Sequence, residues 1–186
     1  MSKGFSGLFN NTLGTSFLNK LMEGETYSDR GIEIPEKIKE LLSRLTKKGD
    51  YISATEEELS MLNVSIMSKE TGVEFARITV GDKIYLIRGD KKGTSIPKEL
   101  FKLIKKKSGT LDFHTHPYEN DFMPSVADKL VMKKLQKITG QKNSVIVAPN
   151  GITITYDGCG AKERNTVSNP ITEEYKKELI RLFGGK

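Results

Sequence analysis

The sequence predicts an α/β domain built as one mixed sheet with helices packed against it. Segments rich in β-branched and aromatic residues, alternating with period two, are interleaved with segments whose apolar residues recur every three or four positions. The composition, 36% hydrophobic and 29% charged over 186 residues, is that of an ordinary globular chain, long enough for one full core and too short for two domains of usual size. Residues 1 to about 33 mix Gly, Ser, Asn and Thr with scattered Phe and Leu and keep no period. They are expected to form an N-terminal extension that packs only in part, leaving 34–186 as the domain.

Behind Pro35, Ile38, Leu41, Leu42 and Leu45 fall at i, i+3, i+4 and i+7, the spacing of one buried helix face with proline at its first turn. Thr55 with Glu58 three residues on is a capping box, and Leu59, Leu62 and Ile66 continue it, so a second helix is expected over 55–67. Two strands follow, 73–80 and 83–87, joined through Gly81-Asp82 as a hairpin. Pro97 opens another helix, with Ile96, Leu100, Phe101 and Ile104 on its inner side, and a strand is expected from about 109 to 116. Ser125 begins a helix whose apolar face, Ala127, Leu130, Val131, Leu135 and Ile138, stops at Gly140. Strands at 145–148 and 152–156 flank Pro149-Asn150-Gly151, where Asn-Gly is a strong turn signal. A last helix is expected over 171–183.

No apolar run approaches the roughly 18 residues of a membrane span, and the first residues lack the apolar stretch of a signal peptide. The chain is therefore expected in the cytoplasm, without a membrane partner. Its single cysteine, Cys159, has no internal partner for a disulfide and sits in the turn Asp157-Gly158-Cys159-Gly160. The net charge of +6 raises the question of nucleic acid, but the lysines are spread along helix faces. The one compact run, Lys105-Lys106-Lys107, lies at a helix end, where cations favour the dipole. Nucleic acid is a partner that the sequence allows and does not favour.

The chain has only two histidines, and both lie in Asp112-Phe113-His114-Thr115-His116-Pro117. Side chains two apart on a strand share a face, so His114 and His116 point the same way. The loop after them leads to Ser125-Val126-Ala127-Asp128, which puts Asp128 in the first turn of the next helix. Two imidazole nitrogens and a carboxylate oxygen suit Zn²⁺, and three protein ligands leave the fourth tetrahedral position to water, as in catalytic sites. Ser125-x-x-Asp128 is also the spacing of an ordinary capping box. In the strand after Val73, alternation puts Glu74 on the apolar face of Ala76, Ile78 and Val80, a costly place for a carboxylate without a partner. It has a reason to be there as the general base for a metal-activated water. Glu70 is the alternative base, and escape of Glu74 to solvent or to a lysine is the structural alternative.

Together, an upstream glutamate, H-x-H-P, a short loop and S-x-x-D resemble the signature of the JAMM (Jab/MPN-type) zinc metallopeptidases over Glu74 to about Asp157. The resemblance implies one zinc ion per chain on His114, His116 and Asp128, water activation by Glu74, and oxyanion stabilisation by Ser125. It also implies a three-layer, cytidine-deaminase-like JAB/MPN fold with helices on both sides of the mixed sheet. The substrate class implied is a protein or peptide, including the tail of a ubiquitin-like protein, cleaved at a peptide or isopeptide bond. The loop 118–124 is one residue longer than the family's usual spacing, which bears on where Ser125 sits.

Two other hydrolase classes fit less well. The string 112–117 also resembles the first strand of amidohydrolase and histidinol-phosphatase-type barrels, but no histidine follows His116 and the about 70 remaining residues do not complete such a barrel. A zinc deaminase needs a Cys-x-x-Cys pair, which one cysteine excludes. The rivals from other classes are a non-catalytic module on the same scaffold and a DNA-associated relative whose affinity would fall steeply with salt.

Overall fold

The computed structural model describes residues 26–118 and 121–167. Within them the chain forms seven strands, β1 (Tyr51–Ser53), β2 (Phe75–Val80), β3 (Lys83–Arg88), β4 (Thr110–Thr115), β5 (Ser144–Val147), β6 (Ile152–Tyr156) and β7 (Ala161–Thr166). Four α-helices accompany them: α1 (Glu36–Ser43), α2 (Met61–Thr71), α3 (Lys98–Lys107) and α4 (Val126–Thr139). The strands make one sheet in the order β1-β3-β2-β4-β5-β6-β7. Every neighbouring pair is antiparallel except β4 and β5, which run parallel and are linked through α4.

Alternation along the strands feeds two separate cores. Phe75, Leu86, Phe113 and Val147 pack with Ile38 and Leu41 of α1 and with Val64, Ile66 and Met67 of α2. Ala76, Ile78, Ile87, Ile146, Ile154 and Tyr156 pack with Leu100 and Ile104 of α3 and with Met132 and Leu135 of α4. Neighbours such as Phe75 and Ala76 therefore serve opposite faces, and the mixed sheet carries helices on both sides. No helix among the described residues is long and apolar enough to cross a membrane.

Several boundaries differ from the sequence expectation for local reasons. Thr55 and Glu58 do form their capping box, with Thr55 N donating to Glu58 Oε2 at 2.9 Å and Glu58 N to Thr55 Oγ1 at 3.2 Å. That box closes only one turn, because Ser60 caps again by accepting from Asn63 N, and the helix proper runs 61–71 instead of 55–67. The three-residue β1 and the exposed β7 are absent from the sequence expectation, since β1 buries Ile52 alone and β7 buries nothing, and neither shows an alternating apolar run. On α4 the buried residues are Met132 and Leu135, while Leu130 is 60% exposed and Val126 70%. Amphipathic spacing alone left a second stripe available, and the sheet took the one carrying Met132.

The turn around Cys159 forms as read, its backbone N–H donating to Asp157 Oδ1 at 2.7 Å. Of the N-terminal segment, Tyr27 is buried in the α1/α2 core beside a 3-10 turn over Ser28–Arg30, and residues 1–25 lie outside the described residues. The helix expected at 171–183 also lies outside them.

The face assignment of α4 predicts unequal truncations. Leu135→Ala should lose about 3 kcal/mol in urea unfolding, and Leu130→Ala less than about 0.5 kcal/mol; equal losses would contradict the packing.

Candidate metal centre

β4 places the histidines, and its register is irregular. Against β2, Arg77 pairs with Phe113 and Ile78 with Leu111, so Asp112 is an extra residue. Its carboxylate accepts from Thr79 Oγ1 at 2.6 Å and lies 3.1 Å from Arg77 Nε. The bulge moves Leu111 to the α3/α4 face although Phe113, two residues on, faces α1 and α2. Beyond it, Thr115 Oγ1 accepts from Phe75 N at 3.0 Å and His116 N donates to the Val147 carbonyl at 3.1 Å. The strand end is thus tied to β2 on one side and β5 on the other.

His114 and His116 are 4% and 3% exposed, and their Nε2 atoms lie 3.1 Å apart. Asp128 arrives from the first turn of α4, with Oδ1 3.3 Å from His114 Nε2 and Oδ2 3.8 Å from His116 Nε2. The capping box forms as well: Asp128 N donates to Ser125 Oγ at 3.1 Å and Ser125 N to Asp128 Oδ2 at 2.7 Å. Helix cap and metal donor are one side chain here, so the two readings of Ser125-x-x-Asp128 coexist. Glu74 completes the cluster, one carboxylate oxygen and one nitrogen of each imidazole all lying within 4.8 Å of one another. Glu70 instead accepts from Ser28 N at 3.1 Å, on the 3-10 turn.

Glu74 sits just before β2, locked to the strand opposite. Its N–H donates to the Asp90 carbonyl at 3.1 Å, and Gly89 N donates to its own carbonyl at 2.8 Å. A Cβ at Gly89 would lie 2.5 Å from the Gly93 carbonyl oxygen and 2.7 Å from Thr94 Oγ1, so only glycine lets the chain close around Glu74 here. Burial pushes the Glu74 carboxyl up to about 7, partly offset by His114 and reinforced by Asp128. Burial alone would also raise Asp128, but the hydrogen bond and charge of His114 and the Ser125 donors outweigh it and hold that carboxyl well below the usual range. Desolvation, with the charge of His114 next, lowers His116.

The outer ring nitrogens have partners that orient the rings. His116 Nδ1 lies 2.8 Å from the Asp121 carbonyl, which only accepts, so Nδ1 carries the proton and Nε2 is bare. His114 Nδ1 lies 3.3 Å from the Tyr156 hydroxyl. In the metal-free site His114 Nε2 has two acceptors in reach, the bare His116 Nε2 at 3.1 Å and Asp128 Oδ1 at 3.3 Å, so it carries a proton. Loss of that proton would leave two Nε2 lone pairs facing one space beside two carboxylates.

That donor set fits a divalent cation. Tetrahedral zinc with bonds of about 2.0–2.2 Å keeps its ligand atoms roughly 3.4 Å apart, close to the 3.1 Å between the two Nε2 atoms and the 3.3 Å from His114 Nε2 to Asp128 Oδ1, while His116 Nε2 lies 3.8 Å from the other oxygen, Oδ2. Glu74 brings a further carboxylate oxygen to the two imidazoles. Ser125 is exposed and meets the cluster through Asp128. The sequence reasoning missed Tyr156 and Asp121. A buried tyrosine hydroxyl requires a partner, which is the one signal that Tyr156 gave.

Three predictions follow from this arrangement. Tyr156→Phe should weaken zinc binding by about tenfold in chelator competition. Imidazole ¹⁵N shifts of the metal-free wild type should show His114 protonated at Nε2, toward Asp128 and His116, and a bare Nε2 would contradict this arrangement. For Glu74 the folded-state pKa lies above the unfolded value near 4.5, so its ionisation costs stability increasingly as pH rises from about 4.5 through 7. Metal-free Glu74→Gln should therefore melt several degrees above wild type at pH 8 and level with it at pH 4. No family model, curated protein or solved structure matches this chain, so its function has to be read from these donors and their surroundings.

Proposed function

We propose that the chain is a zinc-dependent hydrolase of peptide or isopeptide bonds, of the JAMM type that its motif resembles. The observation that carries the reading is the convergence of His114, His116 and Asp128 at ligand spacing, with the half-buried Glu74 carboxylate beside them. The finer fold assignment, a cytidine-deaminase-like JAB/MPN domain, belongs to the same proposal and is supported by the helices on both faces of the mixed sheet.

Bound by His114, His116 and Asp128, zinc would supply Lewis-acid polarisation of a substrate carbonyl and lower the pKa of water toward about 7. The protein's own groups account for the proton. Glu74, poised near 7 by burial, takes a proton from the attacking water on a carboxylate oxygen and returns it to the leaving amine nitrogen. His116 keeps its Nδ1 proton on the Asp121 carbonyl and its Nε2 lone pair inward, and the Tyr156 hydroxyl, 3.3 Å from His114 Nδ1, orients the other ring. Ser125 Oγ accepts from Asp128 N, which leaves its own O–H to donate to a developing oxyanion. Substrates are proteins or peptides, ubiquitin-like tails among them, and the setting proposed is the cytoplasm.

Metal analysis of purified protein tests the centre, and hydrolysis tests the base. Wild type should carry near-stoichiometric zinc and His116→Ala almost none, whereas negligible metal in both would remove the proposal. Glu74→Gln should retain zinc and lose at least about 100-fold in hydrolysis of any substrate that wild type cleaves; full activity in that variant would move the base elsewhere.

A further inference from the structure

Beside the metal centre a cavity of about 550 Å³ opens between α3 and α4. Its floor and walls are apolar, formed by Ala76, Ile96, Phe101, Leu111, Val131 and Leu135, and His114, Asp128 and Glu74 stand at its inner end. Lys98, Lys102 and Lys134 also line it, all three exposed, with Lys134 Nζ 4.5 Å above the Phe101 ring. Among the described residues none of the three pairs with a carboxylate. The two kinds of charge are segregated: the carboxylates belong to the metal centre, the ammonium groups to the outer side. A cavity of this size suits one large side chain or a short peptide segment, and its few charged groups set which one enters.

We propose that this cavity selects the substrate: it takes a large apolar side chain from a peptide segment that carries carboxylates next to that residue, and the three lysines receive them. The inference rests on the hydrolase reading only for what happens after binding. The apolar walls exclude water from the anchor side chain, which drives association, while the lysines decide between acidic and basic flanks. An acidic segment approaching from the other side would meet Asp128 and Glu74 and be repelled, so the charge arrangement also fixes the direction in which the segment lies. A small side chain would leave the cavity part-filled and lose most of the gain from burial.

Titration of metal-free protein with three probes, followed by amide NMR shifts, tests the selection apart from catalysis: N-acetyl-Phe-Asp-Asp amide, N-acetyl-Phe-Lys-Lys amide and N-acetyl-Ala-Asp-Asp amide. The first should bind at least about tenfold more tightly than either other probe, with shifts centred on Ile96, Phe101 and Val131. In a Lys98→Glu, Lys102→Glu, Lys134→Glu variant, whose substitutions are all on exposed helix positions, the order of the first two should reverse. In Val131→Glu, which charges the cavity mouth, the first probe should lose its advantage over the third. Equal binding of the first two probes to wild type, shifts elsewhere, or no binding of any probe would overturn the proposal. Zinc content and hydrolysis, measured separately, report on the metal centre, so failure of one idea is not failure of the other.

Discussion

Two imidazole nitrogens held 3.1 Å apart in a buried place are the constraint around which this domain is arranged. With the outer nitrogen of His116 engaged as a donor, its inner lone pair calls for something positive between the rings, a proton on His114 Nε2 or a cation. Asp128 and Glu74 add negative charge to the same space and sharpen the demand. The lowered Asp128 and raised Glu74 carboxyls are two outcomes of one environment: the former has His114 and the Ser125 donors close at hand, and the latter has burial that the charge of His114 offsets only in part.

The sheet supplies the rigidity that this crowding needs. β4 is central, antiparallel to β2 and parallel to β5, and His114 pairs across the backbone with Ala76 on one side and Ile146 on the other. The parallel step obliges the chain to cross over through α4, and that crossover brings Asp128 back to the end of β4. On the opposite side, the tight backbone around Gly89 fixes Glu74. Donors from β4, from the start of α4 and from the approach to β2 thus meet because of topology.

Much of this was legible in the residues themselves. His114 and His116 lie at strand spacing, Asp128 falls where a capping box puts a helix start, and Glu74 shares the apolar alternation of Ala76 and Ile78; each is a local pattern, and local patterns survive folding. What could not be read was set by choices among equivalent patterns. Ser60 competed with Thr55 to start α2, and the stripe with Met132 competed with the one with Leu130 to face the sheet. The bulge at Asp112 has no sequence mark, since Thr79 and Arg77, which hold it, are distant in the chain. Tyr156 and Asp121 are individually unremarkable residues, and only tertiary placement makes them orient the imidazoles.

The double duty of Asp128 ties the life of the centre to the weakest part of its helix. Terminal turns fray at far lower free energy than central strands, so the first turn of α4 opens and closes many times for each global unfolding. Each opening withdraws one carboxylate from the cluster while both imidazoles stay fixed on the sheet. An ion held here would be released through helix breathing with the rest of the domain intact, and its residence time would follow the strength of the Ser125 cap.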